Sequence, residues 1–591
     1  MDELCHALAV EIGVADFDPE NVPSIGTLLD CCQGLITVDA EASTVRLIHY
    51  TVQEYLCSHP GLFSKPHSML AETCLTYLNS QQVKNITPHS LLPPQSMPFL
   101  KYSARYWGTH TNRDFTNCAR TLALELLNQY EDHISAVSLL EQELNPRFIE
   151  AIGTSPLFSG LHCASFFGIV GLVTVLINAE GYEIDRQDCA GRTPLAWAAL
   201  NGQEEVVKIL LQRGDVDPDH PDTNDQTPLR NAASQGHEGV VRLLLERENV
   251  DPNRQDKDGY GPLVCAAFAG HEGVVKLLLE RENVDPNRPD KDGDGPLGFT
   301  AYYGHEGVVR LLLQRGDIDL NLADAYGRAP LVCTAMEGHE GIVKLLLEQA
   351  NVDPNLPDKD GYGPLGLAAY YGHEGTVQLL LQRGDIDPNL PNAYSRTPLL
   401  CAAMRGHERV VKLLLERKYV DPNLSDEHDA TPLGFAAYNG HEGVVKLLLE
   451  RENIDPNRPD KDGDGPLRNA ASQGHEGVVK LLLERGDVDP NRRNIKSLTP
   501  LENATIKGHE GVVKLFLERE NFNRNRPDED RLAPLTNSAI KGPKGVAKLS
   551  PGSENSDPNR PDSDDQKSVE TPNAPVTREG RPDRWKWRSL F

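Results

Sequence analysis

The sequence predicts a mostly α chain: an α-solenoid of about twelve two-helix repeats of 34 residues, preceded by a small helical, winged-helix-like domain. Two features of the periodicity and one of size lead there. The dipeptide Pro-Leu begins at Pro194, Pro228, Pro262, Pro296, Pro330, Pro364, Pro398, Pro432, Pro466, Pro500 and Pro534, with every interval 34 residues. One step back, Gly160-Leu161-His162-Cys163-Ala164 keeps the phase, and self-similarity at such a period marks a stacked array. Each interval also carries a start signal, a stop signal and an apolar stripe suited to two short helices. A unit of this size falls below the roughly 40 residues at which domains fold alone, so neighbours must complete its core.

Residues 1–145 lack the period. Leu28 to Gly34 reads as a short helix, Leu35 to Val38 and Val45 to Tyr50 as strands around the polar turn Asp39 to Thr44, and Val52 to Leu56 as the start of another helix. That order is a winged-helix order. Ser68 to Leu78 and Phe99 to His110 follow as amphipathic helices.

The repeats occupy 148–550. In each, Thr or Gly caps a first helix, and Pro fills its first turn, where the missing N–H costs nothing, as at Thr193-Pro194 and Thr431-Pro432. This helix A runs through small residues such as Ala198-Ala199 or Ala402-Ala403 to a glycine, Gly202 through Gly542, suited to a left-handed closing position. The second helix, for example Glu238 to Arg247, gathers Val240, Val241, Leu243, Leu244 and Leu245 on one face and is expected to be the buried member of the pair. The stretch between repeats, such as Asp285 to Gly293, is rich in Asp, Asn, Pro and Gly and projects as a finger. Residues 551–591 read as a disordered tail; its end, Arg581 to Phe591, carries Trp585 and Trp587 among basic residues and reads as a plain unstructured end, with a docking peptide or weak nuclear signal as the lesser alternative.

The motif Thr-Pro-Leu-x-x-Ala-Ala-x-x-Gly-His-x-x-Val-Val-x-Leu-Leu-Leu resembles the ankyrin repeat, over about two-thirds of the chain. The resemblance implies a stack whose concave face and fingers bind protein partners. One departure is the His that usually follows Thr-Pro-Leu. Here it survives as His162, with Arg230, Val332, Leu400 and Arg468 among the residues in that slot. The units also alternate in pairs: Cys265, Cys333 and Cys401 stand 68 apart, as do Tyr302, Tyr370 and Tyr438. The runs Gly34 to Asp39, Val45 to Tyr55 and Tyr102 to His110 resemble the segment between the NTPase and the ankyrin array in fungal NACHT-type signalling proteins. A nucleotide-binding domain precedes that segment in the family. The chain has no Gly-x-x-x-x-Gly-Lys-Ser/Thr loop to cradle a phosphate.

Charge and composition exclude several classes. The 591 residues carry 59 Lys+Arg against 87 Asp+Glu, a net charge of −28 that disfavours tracking a polyanion such as nucleic acid or an anionic membrane. No apolar run approaches the roughly 18 residues of a membrane span, and Asp2, Glu3 and Glu11 stand where a signal peptide would be basic. Eleven cysteines without a Cys-x-x-Cys pair fit reduced thiols in cytoplasm or nucleus.

Candidate chemistry dissolves into structure. Nine His-Glu pairs, from His237-Glu238 to His509-Glu510, mimic the opening of a zinc site, yet the residue four after each His is Val, as at Val241 and Val513. These histidines are expected to bridge adjacent repeats. Asp290 to Gly295 matches half a calcium loop, but Ala301 stands where the bidentate Glu belongs. Cys163, Cys265, Cys333 and Cys401 share one slot on helix A and are expected in the core. No nucleophile elbow is present, so neither catalysis nor a cofactor is expected.

One surface stands out. The two positions after Ala-Ala, which in the ankyrin family line the concave face, hold Phe268, Tyr302, Tyr303, Met336, Tyr370, Tyr371, Met404 and Tyr438 mid-array, and Ser234-Gln235 and Ser472-Gln473 at its flanks. An aromatic and Met centre with polar ends suits a protein-binding hot region. Fingertip Tyr260, Tyr326, Tyr362 and Tyr394 extend it, and nearby Asp and Lys favour a partner with basic features. The expected function is therefore a non-enzymatic scaffold or regulatory adaptor, with a transcription factor or other regulator as partner and a coregulator role as the natural class. The alternative is the repeat half of a NACHT-type NTPase.

Overall fold

A computed structural model describes residues 65–86, 97–128, 130, 133–136, 157–179 and 182–518, with short pieces at 7–10, 22, 24, 27, 36–39 and 44–47. The chain divides between Asp285 and Pro286 into two compact units.

In the first unit, β1 (Ile36–Asp39) pairs antiparallel with β2 (Thr44–Leu47), Ile36 opposite Leu47 and Asp39 opposite Thr44. This is the hairpin expected around the polar turn. The flanking helices expected over Leu28 to Gly34 and Val52 to Leu56 lie outside the described residues, as do the tail and the repeat that starts at Pro534. Farther on, α1 (Pro66–Asn79) packs against α3 (Phe99–Arg113) and α4 (Asn117–Leu127), with the single turn α2 (Gln81–Lys84) between. Their shared core includes Cys74, Leu75, Leu78, Leu100 and Trp107. The sequence reading anticipated α1 and α3 and missed α4, whose start is marked by Thr116 accepting from the Ala119 N–H at 3.0 Å. The first repeat clips onto α3: Phe167 lies edge-on to Trp107 at 5.3 Å and directly over Gly108, where any Cβ would enter the ring, and Asn112 donates to the Phe167 carbonyl at 3.1 Å.

Four helix pairs follow in this unit, from Gly160–Phe167 with Val170–Ile177 to Pro262–Ala269 with Glu272–Leu279. The second unit holds seven, from Pro296–Tyr303 with Glu306–Leu313 to Pro500–Lys507 with Glu510–Glu518. Helix A starts and stops as its sequence dictates. Thr193, Thr227, Thr397, Thr431 and Thr499 each accept the N–H three residues on, Pro occupies the first turn, and glycines such as Gly372 close the helix at φ 82°.

Burial reverses one expectation. Helix A, not helix B, is the buried member: Pro364 through Tyr370 are all buried, whereas Glu374–Gln382 buries only Thr376, Val377, Leu380 and Leu381. Within its unit this helix A is flanked by the A helices of both neighbours and backed by its own helix B. Helix B keeps a face in water, and its long Val/Leu stripe signals amphipathicity rather than depth.

Eight of the nine expected histidine bridges are described. His339 Nε2 donates to the Tyr302 carbonyl at 3.0 Å, His373 to Met336 at 2.9 Å, His407 to Tyr370 at 2.9 Å and His475 to Tyr438 at 2.9 Å, with His237, His271, His441 and His509 repeating the bond. The ring also rests on the glycine closing the preceding helix A, so a Cβ on Gly372 would come within 2.5 Å of His407 Nδ1. The fingers add a second ladder. In the Asp-Pro-Asn segments of Asn355, Asn389, Asn423 and Asn457, Asn reaches one repeat ahead: Asn389 Nδ2 donates to the Tyr419 carbonyl at 2.6 Å, and its Oδ1 accepts from the Asp421 N–H at 3.2 Å. A third contact is backbone to backbone, as from the Lys359 N–H to the Tyr326 carbonyl at 2.8 Å. Among the described residues no helix is long and apolar enough to cross a membrane.

Candidate protein-docking face

The two residues after Ala-Ala form the last half-turn of helix A, just before the left-handed glycine. The carbonyl of the first of the two is committed to a histidine bridge, as at Tyr302, Met336, Tyr370, Met404 and Tyr438, so at that position the side chain is what remains available. In the second unit, Tyr302 and Tyr303 are half exposed and meet edge-on at 5.0 Å, with Tyr303 stacked on His305 at 6.3 Å. Two repeats on, Tyr370 and Tyr371 meet edge-on at 5.1 Å, with Tyr371 stacked on His373 at 6.2 Å. The 68-residue alternation is thus a recurring geometry.

Not every residue of the row faces water. Met336 and Tyr370 are only 7% and 6% exposed. The Arg405 guanidinium covers the Tyr370 ring at 5.0 Å, and Tyr362 flanks it at 6.2 Å. Met404 and Tyr438 are half exposed, and so is Phe268 in the first unit. At the flanks, the Ser234 and Ser472 hydroxyls turn back to the Asn231 and Asn469 carbonyls at 2.8 and 2.9 Å. Among fingertip tyrosines, Tyr326 is exposed, Tyr260 and Tyr394 are half exposed, and Tyr362 is buried. Arg328 lies over Tyr326 at 4.6 Å and Arg396 over Tyr394 at 5.5 Å.

Electrostatics join four of these repeats. Burial pushes the Tyr371 phenol up to about 12, with Tyr370, the Glu337 carboxylate and Tyr302 adding to the rise and Arg405 opposing it. Glu337 was not singled out from the sequence. Its signal was the one acid among the paired positions of the row. The arginines were missed too, although Tyr326-x-Arg328 and Tyr394-x-Arg396 repeat one spacing.

A family model for ankyrin repeats (3 copies) matches overlapping stretches that run from 161–256 through to 467–562. The chain is an ankyrin-repeat protein. Such repeats imply a protein–protein interaction role and a protein partner. No curated protein matches the chain.

In this ankyrin-repeat protein two of the departures at the His slot, Arg230 and Arg468, find acidic partners in place of the bonds His162 makes. His162 accepts from the Ser159 N–H at 3.0 Å and links to the Arg192 carbonyl at 3.0 Å. Arg230, in the same slot, instead pairs with the Asp256 carboxylate at 3.0 Å, both side chains being buried, and Arg468 pairs with Asp464. Trp197 donates to Asp188 at 2.8 Å. The finger Asp of the half calcium loop is spent on its own turn, Asp290 Oδ1 accepting the N–H groups of Asp292 and Asp294 at 2.9 Å each. Cys163, Cys265, Cys333 and Cys401 are buried free thiols, and burial pushes Cys265 up to about 11 and Cys401 up to about 12, which keeps them from acting as nucleophiles.

Proposed function

We propose that this ankyrin-repeat protein is a non-enzymatic adaptor that holds a regulatory protein, a transcription factor or other regulator, against the helix-A ends and fingers of its second unit. The observation that carries the reading is the row Tyr302, Tyr303, Tyr371, Met404 and Tyr438, half exposed at the last two positions of helix A in repeats of the second unit, with the Tyr302, Met404 and Tyr438 carbonyls already held by histidine bridges. Large rigid aromatics and adaptable Met side chains concentrate binding energy at small cost in conformational entropy. The triple variant Tyr302→Ala, Tyr371→Ala, Tyr438→Ala tests it. These side chains are not core residues, so helical circular dichroism should hold while affinity capture of the partner falls at least tenfold. Undiminished capture refutes the role.

A second reading, the repeat half of a NACHT-type signalling protein, draws support from the hairpin β1–β2 lying where a winged unit requires it. An in-frame phosphate-binding loop upstream in the transcript would favour that reading.

A further inference from the structure

Given the docking role above, on which this inference rests, the chemistry of the face selects what docks. Tyrosine pairs recur every second repeat, at Tyr302–Tyr303 and Tyr370–Tyr371, and Tyr438 follows. Packed helices lie about 8–10 Å apart, so two layers span roughly 16–20 Å, the reach of five to six extended residues at about 3.3 Å each. The chain itself already lays guanidinium groups on tyrosines of this unit: Arg328 on Tyr326, Arg405 on Tyr370 and Arg396 on Tyr394, at 4.6, 5.0 and 5.5 Å. Between the two tyrosine pairs stands Glu337. It is half buried, its carboxylate lies close enough to Tyr371 to raise the phenol, and among the described residues it has neither an ion pair nor a hydrogen bond.

A carboxylate half withdrawn from water among phenol rings is best answered by a planar, weakly hydrated cation. Such a cation stacks on the rings and presents two N–H groups to the carboxylate at once, which a strongly hydrated ammonium cannot do. The −28 charge of the chain further favours a cationic arrival. We propose that the face takes an extended, arginine-bearing segment of a partner protein, with arginines about six residues apart stacked at the Tyr302–Tyr303 and Tyr370–Tyr371 ends, the one on Tyr371 also paired with Glu337.

The test is a fluorescence-polarisation titration of the full chain with labelled Gly/Ser peptides of about 20 residues that carry three arginines six residues apart. Expected results are saturable binding, about tenfold weaker with lysine at the same positions and weaker again with the arginines three apart. Glu337→Gln and Tyr302→Ala/Tyr371→Ala should each cost about tenfold, with the parent fold retained. A leucine peptide binding as tightly as the arginine peptide, an arginine affinity unmoved by Glu337→Gln, or no arginine binding at all would overturn the inference. The leucine result would leave the docking role standing, since that role fails only if partner capture survives the tyrosine triple variant.

Discussion

Gly372 has to satisfy two conditions at once. Its φ of 82° excludes most side chains, and His407 fills the space where a Cβ would project. A left-handed Ala costs about 1–2 kcal/mol on backbone grounds alone, and displacing the ring forfeits a hydrogen bond of about 1 kcal/mol. Gly372→Ala should therefore lower stability by about 2–3 kcal/mol, and His407→Ala by about 1–2. Together they should cost less than their sum, because without the ring only the backbone term remains; urea denaturation of the four proteins measures the coupling. Asp358 offers the opposite sign. Burial holds its carboxyl up near 6, above the ordinary 3.8, so the folded chain keeps this proton more readily than the unfolded one. Its contribution to stability is lost as pH rises from about 4 through 6 and is absent at neutrality. Asn392 and Asn494 sit in the same slot of other fingers and accept the same pair of N–H groups without charge. Asp358→Asn should accordingly raise the melting temperature at about pH 7.5 and change it little near pH 4.5.

Among elements, the fingers are where sequence and structure inform each other most. Their Asp, Asn, Pro and Gly content announces turns, but composition does not say that an Asn such as Asn389 reaches into the next repeat; only its strict register does. Asn389→Ala removes both bonds to the Tyr419–Asp421 segment, at about 1 kcal/mol each at most for solvent-exposed groups. Faster amide exchange at Asp421, with unchanged exchange at Val445 in the next helix B, would show the loss to be local. Helix A was legible from Thr-Pro starts and Gly stops because capping is local chemistry. Its depth was not, because burial depends on how many neighbours surround a helix, and the Val/Leu run of helix B gives no measure of that. The docking row was half legible. Spacing located every tyrosine, yet the covering of Tyr370 by Arg405 comes from the following repeat, 35 residues away in the chain.

For the whole molecule, repeats that touch only their neighbours make stability a sum of local terms. Leu414 is fully buried, and Leu414→Ala should cost about 2–5 kcal/mol, read first as lost exchange protection over residues 364–465 and much less over 466–518. Equal loss throughout the second unit would mean that it unfolds as one block. What His407 grips, a carbonyl and a bare Cα, is something every copy offers whatever its side chains are. Unequal crossing-over between misaligned copies of the gene therefore leaves a working seam, and copy number is free to grow or shrink while the tyrosine side chains, which take no part in the grip, drift toward whatever ligand selection presents.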